Sequence, residues 1–89
     1  MPHTLELFYS EHCFGCEEAR QLLEDFASDH ADVVIVEHNI DDDADYQLAV
    51  GYRLIATPAF VIDRCHVMYG IPHAEKLAAR IAASTAVVA

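Results

Sequence analysis

Cys13 and Cys16, two cysteines three positions apart, are the residues of this sequence whose types and spacing best suit chemistry. They follow an apolar, strand-like run at residues 5–9 and open a segment with helical periodicity. Such a pair can close a small disulfide, and the N–H groups and positive dipole end of a helix start favour the thiolate of the first sulfur. The spacing predicts thiol chemistry, although a C-x-x-C alone is a weak signal.

The periodicity of the surrounding segments predicts the order β-α-β-α-β-β-α. The first and third helices each have one apolar face, and the short apolar run at 33–36 is typical of a strand covered on both faces and parallel to its neighbour. Residues 84–89 carry no clear signal and predict a frayed tail. The predicted strands are 5–9, 33–36, 59–62 and 66–69; the predicted helices run from Cys13 to about His30, from about Ala44 to Tyr52, and from a first turn at or near Pro72 through Ile81 and Ala82.

This order predicts an α/β fold with a four-stranded mixed sheet and helices on both faces, formed by residues 1–89 as a single domain. A right-handed crossover places Cys13 at the carboxyl-terminal edge of the sheet, where α/β folds usually place their chemistry. The helix-face residues Leu22, Leu23, Phe26, Leu77 and Ile81 are predicted to form the core.

Composition narrows the possible partners and location. Fifteen acidic residues against five basic ones give a net charge of −10, which disfavours nucleic acid and anionic membranes as partners. No apolar run approaches the roughly 20 residues of a membrane span, and the first residues lack a signal-peptide pattern. An odd count of three cysteines argues against a disulfide scaffold, so we expect a cytoplasmic protein.

A Thr57-Pro58 step before the third strand adds specificity to the cysteine pair. With residues 8–16, 39–41 and 55–60 in this order, the chain resembles small members of the thioredoxin and glutaredoxin superfamily over nearly its whole length. The resemblance implies a thioredoxin-like fold and cofactor-free reduction of protein disulfides, with Cys13 as nucleophile and Cys16 as resolving thiol. It also implies a cis bond at Pro58 that presents the Thr57 backbone to an extended substrate strand.

The chain departs from both branches of this superfamily near the cysteines. Where the thioredoxin branch has Trp before the pair and Gly-Pro within it, this sequence has His12 and Phe14-Gly15. Leu7 occupies the position of that branch's buried Asp, so the buried-carboxylate proton relay is predicted to be missing. The glutathione-binding motifs of glutaredoxins are also replaced, by Glu11-His12 and by residues 70–73. The electron donor is therefore open between a thioredoxin-reductase-like protein and glutathione.

Several other residues have weaker assignments. Phe14 and His12 are predicted to contact the substrate, and the acids at 41–45 to cap the second helix. Cys65 is predicted to be a semi-exposed turn residue, and most of the six histidines to be solvated. The protein is expected to be monomeric and to hold no metal. Two alternatives stay open: a copper or zinc carrier using Cys13, Cys16 and His12, and a non-catalytic adaptor with the same fold.

Overall fold

A computed structural model, which describes residues 3–84, contains seven elements in the predicted order β-α-β-α-β-β-α. Both β3 and β4 have the predicted bounds, and they form the predicted antiparallel hairpin. The elements are β1 (His3–Tyr9), α1 (Cys16–Asp29), β2 (Val33–Asn39), α2 (Asp43–Gly51), β3 (Ala59–Ile62), β4 (His66–Tyr69) and α3 (Ala74–Ala83).

The four strands form one mixed sheet in the order β2-β1-β3-β4. Strand β1 is parallel to β2 and antiparallel to β3, so Phe8 lies opposite both His38 and Ala59. Helices α1 and α3 pack on one face of the sheet, and α2 packs on the other. The predicted mixed sheet with helices on both faces is confirmed.

Alternation along β1 divides its side chains between the two faces of the sheet. Leu5 and Leu7 are fully buried against α1 and α3, whereas Phe8 packs in the smaller core beneath α2. Of the helix-face residues predicted to form the core, Leu22 is partly buried and the other four are buried: Leu23, Phe26, Leu77 and Ile81. Strand β1 thus runs between two apolar layers and ends at the turn that carries the cysteines.

Three local expectations are corrected by the structure. The strand at Val33 lies at an edge of the sheet, where Val34 is 47% exposed, so β2 is not covered on both faces. Helix α1 begins at Cys16 rather than Cys13, whereas Pro72 lies next to the N-cap of α3, near its first turn as predicted. Ser84 caps α3 and is buried; the rest of the predicted tail, residues 85–89, lies outside the described residues.

The turn between β3 and β4 is joined to the start of β1. Asp63 and Arg64 have φ angles of 51° and 59°, and the Asp63 N–H donates to the Thr4 carbonyl at 2.8 Å. The Asp63 carboxylate accepts the Thr4 N–H at 2.9 Å and lies 2.7 Å from Nδ1 of His3. Burial acts to raise the pKa of Asp63, but the Ser84 hydroxyl close by, together with the Thr4 N–H and His3 in direct contact, holds it below its ordinary value.

Candidate active site

Cys13 and Cys16 form a disulfide at the start of helix α1, with their Cα atoms 5.4 Å apart. Cys16 is the first residue of the helix and only 3% exposed, whereas Cys13 is partly exposed in the preceding turn. Gly15 is the N-cap and has a φ of 86°, a left-handed conformation that glycine adopts without steric cost. The pair therefore presents one accessible sulfur and one buried sulfur.

Two backbone hydrogen bonds attach the cysteine turn to the loop after β2. The Ile40 N–H donates to the carbonyl of Tyr9, the last residue of β1, at 2.8 Å. The Glu11 N–H donates to Oδ2 of Asp41 at 3.0 Å. The predicted cap at the next residue is also present, because Asp42 accepts the Ala44 N–H at 3.1 Å. The acidic run therefore both starts α2 and holds the turn that precedes Cys13.

The Thr57–Pro58 segment lies beside this turn. The bond between the two residues is cis, and Pro58 is buried. Continuing the β1–β3 register by one pair places Pro58 opposite Tyr9. Pro58 also accepts the Gly70 N–H at 3.0 Å, and the δ-carbon of the next residue, Ile71, lies 3.4 Å from an ideal Cβ on Gly15. One end of the sheet, where β1 finishes, therefore brings together the cysteine turn, the Thr57–Pro58 segment and the residues after β4.

Exposed apolar side chains occupy the segments that meet at this end of the sheet. Phe14, between the two cysteines, is 100% exposed, and Ile55, just before Thr57, is 86% exposed. Ile71 and Tyr69 are each nearly half exposed, and the Tyr69 hydroxyl accepts the Ile55 N–H at 3.3 Å. The cysteine turn thus has apolar side chains near it that the fold itself does not cover.

A groove of about 300 Å³, lined mainly by polar and charged residues, borders the disulfide and reaches Arg20, one turn further along α1. The Arg20 guanidinium lies 4.6 Å from the centre of the Tyr9 ring, and its Nε donates to Glu37 at 3.0 Å. That hydrogen bond raises the pKa of Arg20 above its ordinary value. Two carboxylates, Glu11 and Glu17, also line the groove. Both signs of charge therefore lie close to Cys13.

Of two further positions considered from the sequence, one lies at the site and the other far from it. His12 is exposed beside Cys13. Cys65 is an exposed free thiol in the β3–β4 turn, at the end of the sheet opposite the disulfide. Within residues 3–84, no group of three or more His, Cys, Asp or Glu side chains is arranged to hold a metal ion. None of the helices in that part of the chain is long and apolar enough to cross a membrane.

Sequence reasoning missed a buried polar group beneath α2, which we call the Glu6 cluster: Glu6, His38, Asp45 and Tyr52. Glu6 is 7% exposed and His38 9% exposed, so His38 is the exception among the six histidines, the other five of which are exposed or partly exposed. His38 Nε2 lies 2.8 Å from Glu6, and its Nδ1 lies 2.9 Å from Asp45. The Tyr52 hydroxyl donates to Glu6 at 2.9 Å. Leu7 is indeed apolar, but a buried carboxylate is present one residue earlier on the other face of the sheet.

Comparison with known proteins yields structural matches only. No protein-family model matches the sequence, and no curated protein matches it either. A solved structure described as "Structure of a malarial protein" superposes with a TM-score of 0.81 at 11% identity, covering 92% of this chain and 96% of that one. A second is described as "Structural basis of the thiol resolving mechanism in yeast mitochondrial 1-Cys peroxiredoxin via glutathione/thioredoxin systems". It has a TM-score of 0.78 at 19% identity and covers 91% of this chain and 77% of that one.

The chain has a thioredoxin-like fold. This confirms the predicted fold class, and identities this low establish the fold alone. The chemistry of the site depends on the residues that this fold brings together.

Proposed function

We propose that this protein is a thiol–disulfide oxidoreductase that reduces protein disulfides through Cys13 and Cys16. The observation that carries the proposal is the Cys13–Cys16 disulfide itself, which lies at the N-terminus of α1 on a thioredoxin-like sheet. A helix N-terminus stabilises a thiolate, because its unpaired N–H groups and the helix dipole favour negative charge there. The difference in exposure supports separate roles, with Cys13 as the attacking sulfur and Cys16 as the resolving one.

In the proposed reaction the reduced protein passes two electrons to a substrate disulfide. The Cys13 thiolate attacks one substrate sulfur, forming a mixed disulfide as the substrate S–S bond breaks and the second substrate sulfur leaves as a thiolate. The Cys16 thiolate then attacks the Cys13 sulfur, which restores the Cys13–Cys16 disulfide and releases the second substrate thiol. A dithiol or thiol donor returns the protein to its reduced form.

The surroundings of the disulfide favour protein substrates. Phe14 and Ile55 are almost fully exposed, and such side chains gain favourable burial only when a partner covers them. The Thr57 backbone is proposed to pair with an extended segment of the substrate, as in β-strand addition. His12 would contact the same partner from the other side of Cys13.

The electron donor is proposed to be a thioredoxin-reductase-like protein or glutathione. Support for this pair of donors comes from the second solved structure, whose description names glutathione and thioredoxin systems. The two residues before Cys13 favour the protein donor, because Glu11 and His12 stand where a glutathione-binding base is expected. We further propose that residues 1–89 form a single domain that acts as a monomer in the cytoplasm.

Insulin reduction tests the proposal, with reductase and glutathione systems supplied separately as electron sources. Cys13→Ser should abolish activity above the uncatalysed background. Cys16→Ser should accumulate mixed disulfides, because the resolving thiol is lost. Cys65→Ser is the matched control: it removes an exposed thiol at the opposite end of the sheet and should leave the rate unchanged. Activity that survives Cys13→Ser, or a Cys16→Ser variant that traps no partner, would refute the proposed function.

A further inference from the structure

The Glu6 cluster connects helix α2 to the sheet at both ends of the helix. Asp45, in the first turn of α2, lies 2.9 Å from His38 on β2. Tyr52, the C-cap residue of α2, donates to Glu6 on β1 at 2.9 Å. The His38 ring also lies 2.8 Å from Glu6, so this contact links the two attachments to each other. A change at His38 therefore affects both ends of α2.

Helix α2 has little apolar packing that could replace these contacts. Among its residues, all of which the structure describes, Ala49 alone is buried. Tyr46, Leu48 and Val50 are each about half exposed. Since apolar burial scales with the area removed from water, α2 depends on its polar contacts more than α1 and α3 do.

The geometry at His38 fixes how many protons the cluster must hold. A neutral imidazole has one N–H and one bare nitrogen, so it donates to only one acceptor. Both ring nitrogens of His38 face carboxylate oxygens, at 2.8 Å and 2.9 Å. With neutral imidazole and two carboxylates, one of these contacts would oppose two lone pairs inside the fold, which is unfavourable. An imidazolium donates to both carboxylates, and it also balances part of their buried charge.

Tyr52 of the Glu6 cluster immediately precedes the segment proposed to bind substrate. Tyr52 is followed by residues 53–57, which end at Thr57. This segment turns back on α2, because the Leu54 N–H donates to the Ala49 carbonyl at 3.1 Å and Leu54 packs against the core beneath the helix. A shift of the end of α2 therefore displaces the segment that carries Thr57.

We infer that His38 is a positioning residue whose second ring proton holds α2 on the sheet and thereby sets the position of the Thr57 segment for polypeptide substrates. This inference rests on the proposed disulfide reduction. His38 lies beneath α2 and touches no reacting sulfur, so small disulfides that need only Cys13 do not depend on it. Loss of the proton therefore slows protein substrates selectively.

The groups around His38 determine the direction of the pH effect. From β1 it is faced by Glu6 and by the Phe8 ring, whose centre lies 4.5 Å away, and from α2 by Asp45. Tyr52 is linked to it through Glu6. Arg64, in the β3–β4 turn, acts electrostatically on Tyr52. Raising the pH removes the imidazolium proton and leaves two carboxylates that a neutral ring cannot both satisfy. The selective loss is therefore expected on the alkaline side.

Rates of the reduced protein with insulin and with hydroxyethyl disulfide test this inference. Their ratio cancels the titration of Cys13, which both reactions share. As the pH is raised the ratio should fall about tenfold in the wild-type protein, the effect of one charge-assisted hydrogen bond. His38→Gln should show the low ratio throughout, without a pH dependence.

His30→Gln is the matched control for this experiment. His30 also stacks on a phenylalanine, with its ring centre 3.9 Å from that of Phe26, but its Nδ1 faces the Phe26 carbonyl and no carboxylate. This variant should follow the wild-type ratio. A ratio in the wild-type protein that does not change with pH, or an equal change in both variants, would overturn the role of His38.

A direct measurement on the wild-type protein covers the case in which His38→Gln fails to fold. Nitrogen-15 NMR of the imidazole should show both ring nitrogens of His38 protonated at the pH where the ratio is highest, and a bare ring nitrogen there would overturn the inference. The two proposals fail separately. A wild-type protein that reduces no insulin at any pH contradicts the proposed function, whereas normal reduction with an unchanging ratio contradicts only the role of His38.

Discussion

Replacing Asp63 by alanine should destabilise the fold by about 3 kcal/mol, although the residue lies at the end of the sheet opposite the disulfide. The side chain of Asp63 is 3% exposed, accepts the Thr4 N–H and lies 2.7 Å from His3. Removing the carboxylate leaves the Thr4 N–H without its acceptor, at about 1–3 kcal/mol. Alanine at a φ of 51° costs about 1 kcal/mol more, because its Cβ disfavours the left-handed conformation.

Two further variants separate these contributions. Asp63→Asn keeps an acceptor for the Thr4 N–H and tolerates the left-handed conformation, so it should lose only the charged contact with His3, about 1 kcal/mol. Asp63→Gly should be intermediate at about 2 kcal/mol, because it removes the acceptor of the Thr4 N–H, whereas glycine adopts the left-handed conformation without steric cost. The expected order of destabilisation is therefore alanine, glycine, asparagine.

Urea unfolding followed by circular dichroism measures these free energies, and acid provides a second test. Since the pKa of Asp63 lies below its ordinary 3.8, the ionised carboxyl stabilises the fold above that value, and the contribution is lost as the pH falls through the lowered pKa. Asp63→Asn does not titrate at this position, so its deficit relative to wild type should shrink in acid. A deficit equal to that of Asp63→Ala at neutral pH, or one that stays constant in acid, would refute the reasoning.

Four further predictions concern Gly15 and Phe14 in the cysteine turn and Gly51 and Tyr52 at the end of α2. Gly51→Ala should stabilise the protein by about 0.5–1 kcal/mol in the same urea titration, because Gly51 is helical and an added Cβ meets open space. Gly15→Ala should instead destabilise it by about 1–2 kcal/mol, owing to the φ of 86°. In an ultraviolet titration Tyr52 should ionise near pH 12, because burial and the hydrogen bond to Glu6 raise its pKa to about 12, and Tyr52→Phe should remove that transition. Phe14→Ala should change the free energy of unfolding by less than about 0.5 kcal/mol and yet slow insulin reduction several-fold, since the side chain is fully exposed.

The predictions for Gly15, Tyr52 and Phe14 each have a contradicting result. A Gly15→Ala variant as stable as wild type would mean that the turn between the cysteines relaxes away from its left-handed conformation. A tyrosine transition near pH 12 that persists in Tyr52→Phe would assign it to another residue. An unchanged insulin rate in Phe14→Ala would remove this ring from the partner contact.

The element order could be predicted because each element carries a local signal. Residues 59–62 and 66–69 are short β-branched and aromatic runs around a turn, and the two amphipathic helices repeat with the helical period. The exposure of β2 could not be predicted in the same way. A continuous apolar run such as 33–36 looks the same at an edge as in the centre of a sheet, and only the strand order decides which it is.

Only part of the candidate site could likewise be predicted from the sequence. The cysteine spacing and the Thr57-Pro58 step are local patterns, and the fold brings them to the same end of the sheet. The Glu6 cluster joins residues separated by up to 46 positions, and each of them looks ordinary in its own segment. Glu6 sits in an alternating strand, where a polar residue usually faces solvent. It is buried here because α2 covers that face and supplies Asp45 and Tyr52 as partners.

The contacts around Asp63 also bring both ends of the described chain to one end of the sheet. His3 begins β1 and Ser84 caps α3, and both act on the Asp63 carboxylate. The seven residues of β1 then extend about 20 Å before the turn that holds Cys13. A fluorescent label or surface tether attached beside His3 or Ser84 would therefore leave the dithiol free to meet large partners.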